Sequence, residues 1–195
     1  MLAQACAESL ISRRPFPLRK HLGGALFHFA PSIDTIDFKP GLVYKTHDYP
    51  PKQPLPTFVR IVYTYADPID IVASLLAQHR KDGDTWIAEH AAHLKAGPVD
   101  LDDIYRRDVF HFERHFDQWM AARHLPLFAV RYDRIWAVQD KLATFLSVPL
   151  TLPPQRARRS SVTGIPEDRM GELMATYERL REKIDGCEMV VARDW

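Results

Sequence analysis

Thr57-Phe58-Val59-Arg60-Ile61-Val62-Tyr63-Thr64-Tyr65 runs through Ala66-Asp67-Pro68 into Ile69-Asp70-Ile71-Val72-Ala73-Ser74-Leu75-Leu76. The first part is β-branched and aromatic, with a nearly continuous apolar centre, the pattern of a parallel strand buried on both faces. Asp67 is a natural helix N-cap and Pro68 a natural first helical residue. Beyond them, apolar side chains at 69, 71, 72, 75 and 76 recur at helical spacing. Strand, tight turn and helix together make the βα unit of an α/β fold.

Working outward, Gly41-Leu42-Val43-Tyr44-Lys45-Thr46-His47 is an apolar run that turns polar at its end, bounded by Pro40 and Pro50-Pro51. It reads as a second strand. Pro126-Leu127-Phe128-Ala129-Val130-Arg131-Tyr132 reads as a third. Helices are expected over 84–95, 101–123, 133–146 and 166–185, the last with Gly186 at its C-cap. Residues 1–13 read as the end of a helix. Residues 14–40 read as loop, with a helical turn between Lys20 and Phe29. The expected fold is a three-layer α/β/α sandwich with a small, mainly parallel sheet of about three to four strands, in a single domain over 1–195.

Composition narrows the function classes. With 46% hydrophobic and 26% charged residues, the chain is expected to bury a substantial core. A net charge of +1 argues against bulk electrostatic binding of nucleic acid, so any anion site must be local. Cys6 and Cys187 are the only cysteines and form no CxxC pair, which predicts a reduced, cytoplasmic protein. No apolar run approaches a membrane span and no leader is read at Met1, so no membrane partner is expected.

The chemistry centres on two segments. Ligands of α/β sheets sit beyond the C-terminal ends of parallel strands. Lys45 and His47, two residues apart at such an end, can point to one side of an extended backbone. The cation offsets charge that builds on a transferring group, and a neutral imidazole takes a proton from an attacking hydroxyl. A solvated strand end has the same composition. The start of the helix after Asp67 offers free N–H groups and a positive dipole end. Ser74 lies about two turns in, where its hydroxyl reaches an anion lying along the helix flank. A capped helix carrying a buried serine is the alternative.

Taken in order, Lys45-Thr46-His47, then Val59-Arg60-Ile61-Val62-Tyr63, then Asp67-Pro68-Ile69-Asp70-Ile71-Val72-Ala73-Ser74 resembles the PAPS-dependent sulfotransferase family. Ala129-Val130-Arg131-Tyr132-Asp133 is similar to that family's Arg-Tyr-Glu/Asp segment, and 142–149 to the helix and turn after it. The resemblance covers 42 to about 150. It implies a P-loop-like fold and 3′-phosphoadenosine-5′-phosphosulfate as donor, with a hydroxyl or amine of a small molecule as acceptor. It further implies His47 as general base, Lys45 as the cation at the moving sulfuryl group, Ser74 as a 3′-phosphate ligand, and no metal. The basic cluster Arg156, Arg158 and Arg159 falls where the family places a late basic segment at the nucleotide. A solvated basic loop is its other reading.

Two departures stand out. The family's Gly-rich phosphate loop is not in this chain, so the domain is expected to be N-terminally incomplete, with an exposed sheet seam that leaves the isolated chain either poorly stable or a homodimer. The family's arginine before Asn/Asp-Pro is Ala66, for which Arg60, Arg80 or the 156–159 cluster would substitute. A non-catalytic nucleotide- or partner-binding relative of the same fold is therefore the alternative function. His90/His93 and His111/His115 are expected on amphipathic helix surface rather than at a metal, and Phe110, Phe112, Phe116 and Trp119 in the core. The region 80–120 is expected to line an acceptor pocket.

Overall fold

Of the strand expected over Thr57–Tyr65, only Ile61–Tyr65 forms, as β3, and it is not buried on both faces as expected: Ile61, Val62 and Tyr63 are half-buried, Thr64 is exposed and Tyr65 is buried. The helix after it starts at Pro68, as the capping residues require. The computed structural model describes Cys6 and residues 27–30, 32–155, 162–188 and 190–193. The fold is mixed α/β. Its chain order is β1 (Phe27–Phe29), β2 (Val43–Lys45), β3, α1 (Pro68–His93), α2 (Phe112–Ala121), β4 (Leu127–Arg131), α3 (Gln139–Leu146), α4 (Glu167–Asp185) and β5 (Val190–Arg193), with short 3₁₀ turns between them. The chain divides into two compact units: Met1–Thr64 with Ala122–Gln155 and Met189–Trp195, and Tyr65–Ala121 with Arg156–Glu188.

The first unit holds the sheets. β1 and β2 pair in parallel, with Phe29 opposite Lys45. A second sheet has the order β3-β4-β5. Within it β4 and β5 are antiparallel, with Phe128 opposite Ala192 and Val130 opposite Val190. The expected single, mainly parallel sheet is corrected on this point. β5 enters from the far end of the chain and pairs antiparallel, and β1 occupies part of the segment expected to be a helical turn. Leu127 to Val130 are all buried, as the unbroken apolar run demands. Phe128 and Val130 pack with Ile135, Val138, Leu142, Phe145, Leu150 and Leu152, and the Phe128 and Phe145 rings lie 5.4 Å apart. Each such buried side chain contributes roughly 1.5–3 kcal/mol by leaving water. The helix expected over 133–146 is shorter: a 3₁₀ turn at Tyr132–Arg134 precedes α3, which stops at Ser147 in the left-handed region.

The second unit is helical. Its longest element, α1, buries Ile69, Val72, Ala73 and Leu76 along one stripe, at the spacing of a helix face. The helix expected separately over 84–95 continues the same run across Gly83, whose φ of 76° and ψ of −171° break the helical geometry. α1 packs against α4 and against the 3₁₀ turn at Val162–Gly164. At that turn the Arg80 guanidinium donates to the Gly164 carbonyl at 3.4 Å. A methyl group on Gly164 would come within 2.8 Å of the tip of the same guanidinium, which would have to shift to make room.

The single helix expected over 101–123 is likewise corrected. A 3₁₀ turn at Leu101–Tyr105 is followed by a break, and α2 starts at Phe112. Asp108 makes the break. Its carboxylate accepts the Phe112 and Glu113 N–H groups, both at 2.9 Å, while His111 takes φ 56°. These are free donors of a helix start, and a short acidic side chain competes for them. Phe110, Phe116 and Trp119 are buried as expected, and Phe112 stacks on Phe110 at 5.5 Å. Of the expected 1–13 helix, only Cys6 lies among the described residues, and it is helical. Burial pushes its thiol up to about 11.

Candidate functional site

The end of β2 carries the first two predicted residues. Lys45 is its last paired residue and is exposed, and its carbonyl accepts the Ala30 N–H at 2.9 Å. Strand geometry ends there, because the Thr46 hydroxyl accepts the Asp48 N–H at 3.0 Å and closes a turn. His47 therefore sits in a turn rather than on an extended strand. It is half-buried, with its ring centroid 6.1 Å from that of Phe29 on β1. Next to it, His28 stacks on Tyr44 at 5.6 Å, and the Tyr44 ring meets the edge of Phe38.

What holds this turn is Asp48, a residue that sequence reasoning missed. It is 1% exposed. Its Oδ2 accepts the Ser32 hydroxyl at 2.8 Å and the Ile33 N–H at 3.0 Å, and its Oδ1 accepts the Tyr49 N–H at 2.7 Å. A buried carboxylate is tolerated only when so satisfied. The available signal was an aspartate directly after the Lys-Thr-His run and just before Tyr49-Pro50-Pro51, where a carboxylate is poised to hold a turn.

The second unit carries the helix start. Asp67 Oδ1 accepts the Ile69 N–H at 2.9 Å, the N-cap bond the sequence predicts, and Pro68 occupies the first helical position. Asp67 Oδ2 also accepts from Arg181 Nε of α4 at 3.1 Å. The guanidinium paired with the Asp67 carboxylate therefore comes from a residue 114 positions away, outside the set considered from sequence. Arg60 donates to the carbonyls of Thr57 and Val59 in its own loop, and Arg80 to Gly164. Ser74 is exposed rather than buried. It lines a cleft of about 310 Å³ with Ile71, Leu75, Gln78, Trp86 and His90. Arg156, Arg158 and Arg159 lie outside the described residues.

In the lining of the cleft, the Trp86 indole and the His90 imidazole stack at 5.1 Å and 13°, and His90 meets Phe110 edge-on at 5.8 Å. His115 accepts the Trp119 indole N–H at 3.3 Å, and His111 lies outside the helix, so these two do not share a helix face as expected. Among the described residues no group of three or more His, Cys, Asp or Glu side chains is arranged to hold a metal ion. No helix among them is long and apolar enough to cross a membrane.

One buried polar cluster has shifted ionisation. Burial raises the Asp108 carboxyl above its ordinary range, against the lowering by its two backbone hydrogen bonds and by His111. Burial, and then the Asp108 charge, push the Tyr177 phenol up. Both groups are in the second unit and serve its packing: Tyr177 is 1% exposed, and Thr176 beside it donates to the Tyr105 carbonyl at 2.8 Å.

Comparison with protein-family models, with curated proteins and with solved structures gives no match to this chain.

Proposed function

We propose that the protein transfers a sulfuryl group from 3′-phosphoadenosine-5′-phosphosulfate to a hydroxyl or amine of a small acceptor, in a three-layer sulfotransferase-like domain. The observation that carries the reading is the turn after β2. Lys45 is exposed at the end of a paired strand, His47 follows two residues later, and the buried Asp48 fixes the turn that holds them. In this reading His47 takes the acceptor proton and Lys45 offsets charge on the moving group, so catalysis rests on positioning and charge stabilisation. The capped start of α1 and the exposed Ser74 hydroxyl support a role in holding the donor's 3′-phosphate. Arg181 supports the same role, since it brings a guanidinium to Asp67, next to the position where the family's arginine is replaced by Ala66. Arg156, Arg158 and Arg159 would add charge to the nucleotide.

Ala66 favours a second reading as well, in which the chain binds the nucleotide or a partner without catalysis. One experiment separates them. The purified chain is incubated with ³⁵S-labelled donor and a panel of phenols, alcohols and amines, and donor affinity is measured in parallel. The expected result is transfer to at least one acceptor class, lowered by a factor of roughly 100 or more in His47→Ala with donor affinity kept. Donor binding without transfer establishes the second reading. Transfer that survives His47→Ala removes the imidazole from the mechanism.

A further inference from the structure

Asp-Gly occurs twice in the chain, at Asp82-Gly83 and Asp185-Gly186, and the chain contains no asparagine. An aspartate followed by glycine is prone to backbone rearrangement, because glycine has no side chain to shield its nitrogen from the neighbouring carboxyl. The glycine nitrogen attacks Cγ of the protonated carboxyl. A C–N bond forms, a C–O bond breaks and one water leaves, closing a five-membered succinimide. Water then adds to either ring carbonyl. Opening on one side restores aspartate. Opening on the other leaves the main chain running through Cγ, as L-isoaspartate. The net change is an isomerisation that needs no oxidant, reductant or cofactor.

The fold treats the two pairs differently. Asp185 is the last residue of α4 and Gly186 is its C-cap. Gly186 keeps helical backbone, with φ −78° and ψ −9°, and its N–H donates to the Glu182 carbonyl at 2.9 Å. A Cβ there would meet that carbonyl at 3.2 Å, so this glycine is both bonded and packed. Attack requires its nitrogen to leave the bond and the end of the helix to unwind. Asp82-Gly83 lies where α1 departs from helical geometry. Gly83 has φ 76° and ψ −171°, and nothing stands within 4 Å of where its Cβ would be. The chain after it belongs to a second helical leg, so one continuous helix does not clamp this peptide. The Asp82 carboxylate accepts from Gln78, and Lys81 Nζ lies 3.8 Å from it. Both contacts are at the surface and restrain the side chain weakly. His79 Nε2, 2.6 Å from Asp84 Oδ1, bridges the two legs through side chains rather than through the main chain.

We propose that Asp82-Gly83 is a modification site, at which the bend of α1 lets an L-isoaspartyl linkage form in the folded protein and makes it a substrate for an S-adenosylmethionine-dependent carboxyl methyltransferase specific for L-isoaspartate. In that transfer the sulfonium C–S bond breaks and an O–C bond forms on the free α-carboxylate. Loss of methanol returns the succinimide, which reopens in part to aspartate. The isoaspartyl linkage puts one extra carbon into the main chain at the joint. It therefore redirects the leg that carries Trp86 and His90 relative to the leg that carries Ser74. Every residue of the site lies on α1, so it is independent of any sulfuryl transfer by Lys45 and His47.

The full chain is held for weeks near neutral pH at physiological temperature, in buffer and unfolded in guanidinium chloride. Proteolytic peptides containing Asp82 and Asp185 are scored for isoaspartate by electron-transfer fragmentation. The intact folded protein is scored by methyl transfer from labelled S-adenosylmethionine with purified L-isoaspartyl methyltransferase. Each site's folded rate is divided by its own rate in the unfolded chain, which removes the effect of neighbouring residues. The ratio at Asp82 is expected to exceed that at Asp185 by about 10-fold or more, equivalent to about 1.4 kcal/mol for breaking the Gly186 bond and unwinding the end of α4. Asp82→Glu, whose longer side chain closes no five-membered ring, is expected to remove most of the methylation of the folded protein. Gly83→Ala favours helical backbone at this position and is expected to bring the Asp82 ratio down toward that of Asp185. A ratio at Asp82 no higher than that at Asp185, a ratio unchanged by Gly83→Ala, or methylation of the folded protein unchanged by Asp82→Glu would each overturn the proposal.

Discussion

Replacing Asp48 with alanine tests whether one carboxylate holds the Lys45–His47 turn. The side chain is 1% exposed and accepts from the Ser32 hydroxyl and from the Ile33 and Tyr49 N–H groups. A hydrogen bond to a charged group is worth about 1.5–3 kcal/mol net, and a buried donor left unsatisfied costs about 1–3 kcal/mol. The values do not add in full, because the Ser32 hydroxyl can rotate to another acceptor and water can enter the vacated space. The two backbone donors have no such freedom, which leaves an expected loss of about 3–5 kcal/mol. With a urea m-value of about 2 kcal/mol/M, the midpoint of the first unit falls by about 1.5–2.5 M. Asp48→Asn keeps one acceptor oxygen and is expected to lose about half as much. The assay is urea unfolding combined with hydrogen exchange, in which the Ile33 and Tyr49 amides are expected to lose protection first. A midpoint drop below about 0.5 M, with both amides still protected, would refute the reasoning and leave the turn held by its prolines.

At the start of α1, Asp67→Ala is expected to destabilise the second unit by about 1–2 kcal/mol, through the N-cap bond to Ile69 and the ion pair to Arg181. Arg181→Ala is expected to cost only about 0.5 kcal/mol, since the pair is partly exposed. A double-mutant cycle by denaturant unfolding reads the coupling, and a coupling above about 2 kcal/mol contradicts the assignment. Asp108 gives a pH dependence of known sign. Its folded pKa lies above the unfolded value of 3.8, so the native state holds the proton more tightly. The wild type is therefore expected to lose stability relative to Asp108→Asn as pH rises from 3.8 through the folded pKa, with no further change above it. Parallel stability curves for the two proteins across that window would show that burial does not penalise this carboxylate.

Local rules carried the reading where one short stretch contained its own instructions. The β3 strand, the Asp67 cap and Pro68 all followed from adjacent residues, and so did the buried run of β4. The expectations failed where a distant or competing partner decided. Asp108 intercepts the N–H groups of Phe112 and Glu113, so a sequence with helical periodicity over 101–123 is split in two. Gly83 permits a bend that keeps hydrogen-bonded helix on either side, and periodicity does not register it. β5 is four residues whose only structural argument is pairing with a strand some sixty positions earlier. At the site, Lys45, His47 and Ser74 were legible as residue types in order. Asp48 joins a local bond from Tyr49 to distant ones from Ser32 and Ile33, and Arg181 acts on Asp67 across 114 positions; no local window contains those distant contacts.

The sheet β3-β4-β5 gathers residues 61–65, 127–131 and 190–193, and both units are assembled from separate stretches of chain. On a ribosome this ordering has a cost. The Leu127–Val130 run is made well before the residues that will line its far edge, and until Val190–Arg193 are synthesised that edge shows unpaired amides beside a band of apolar side chains. Such an edge is a template for pairing with another nascent chain, and the wait is lengthened by the slow closure of so long a loop. In the cell, the yield of folded protein should therefore follow the supply of holdase chaperones and the speed of translation over the last stretch more closely than it follows the stability of the finished molecule.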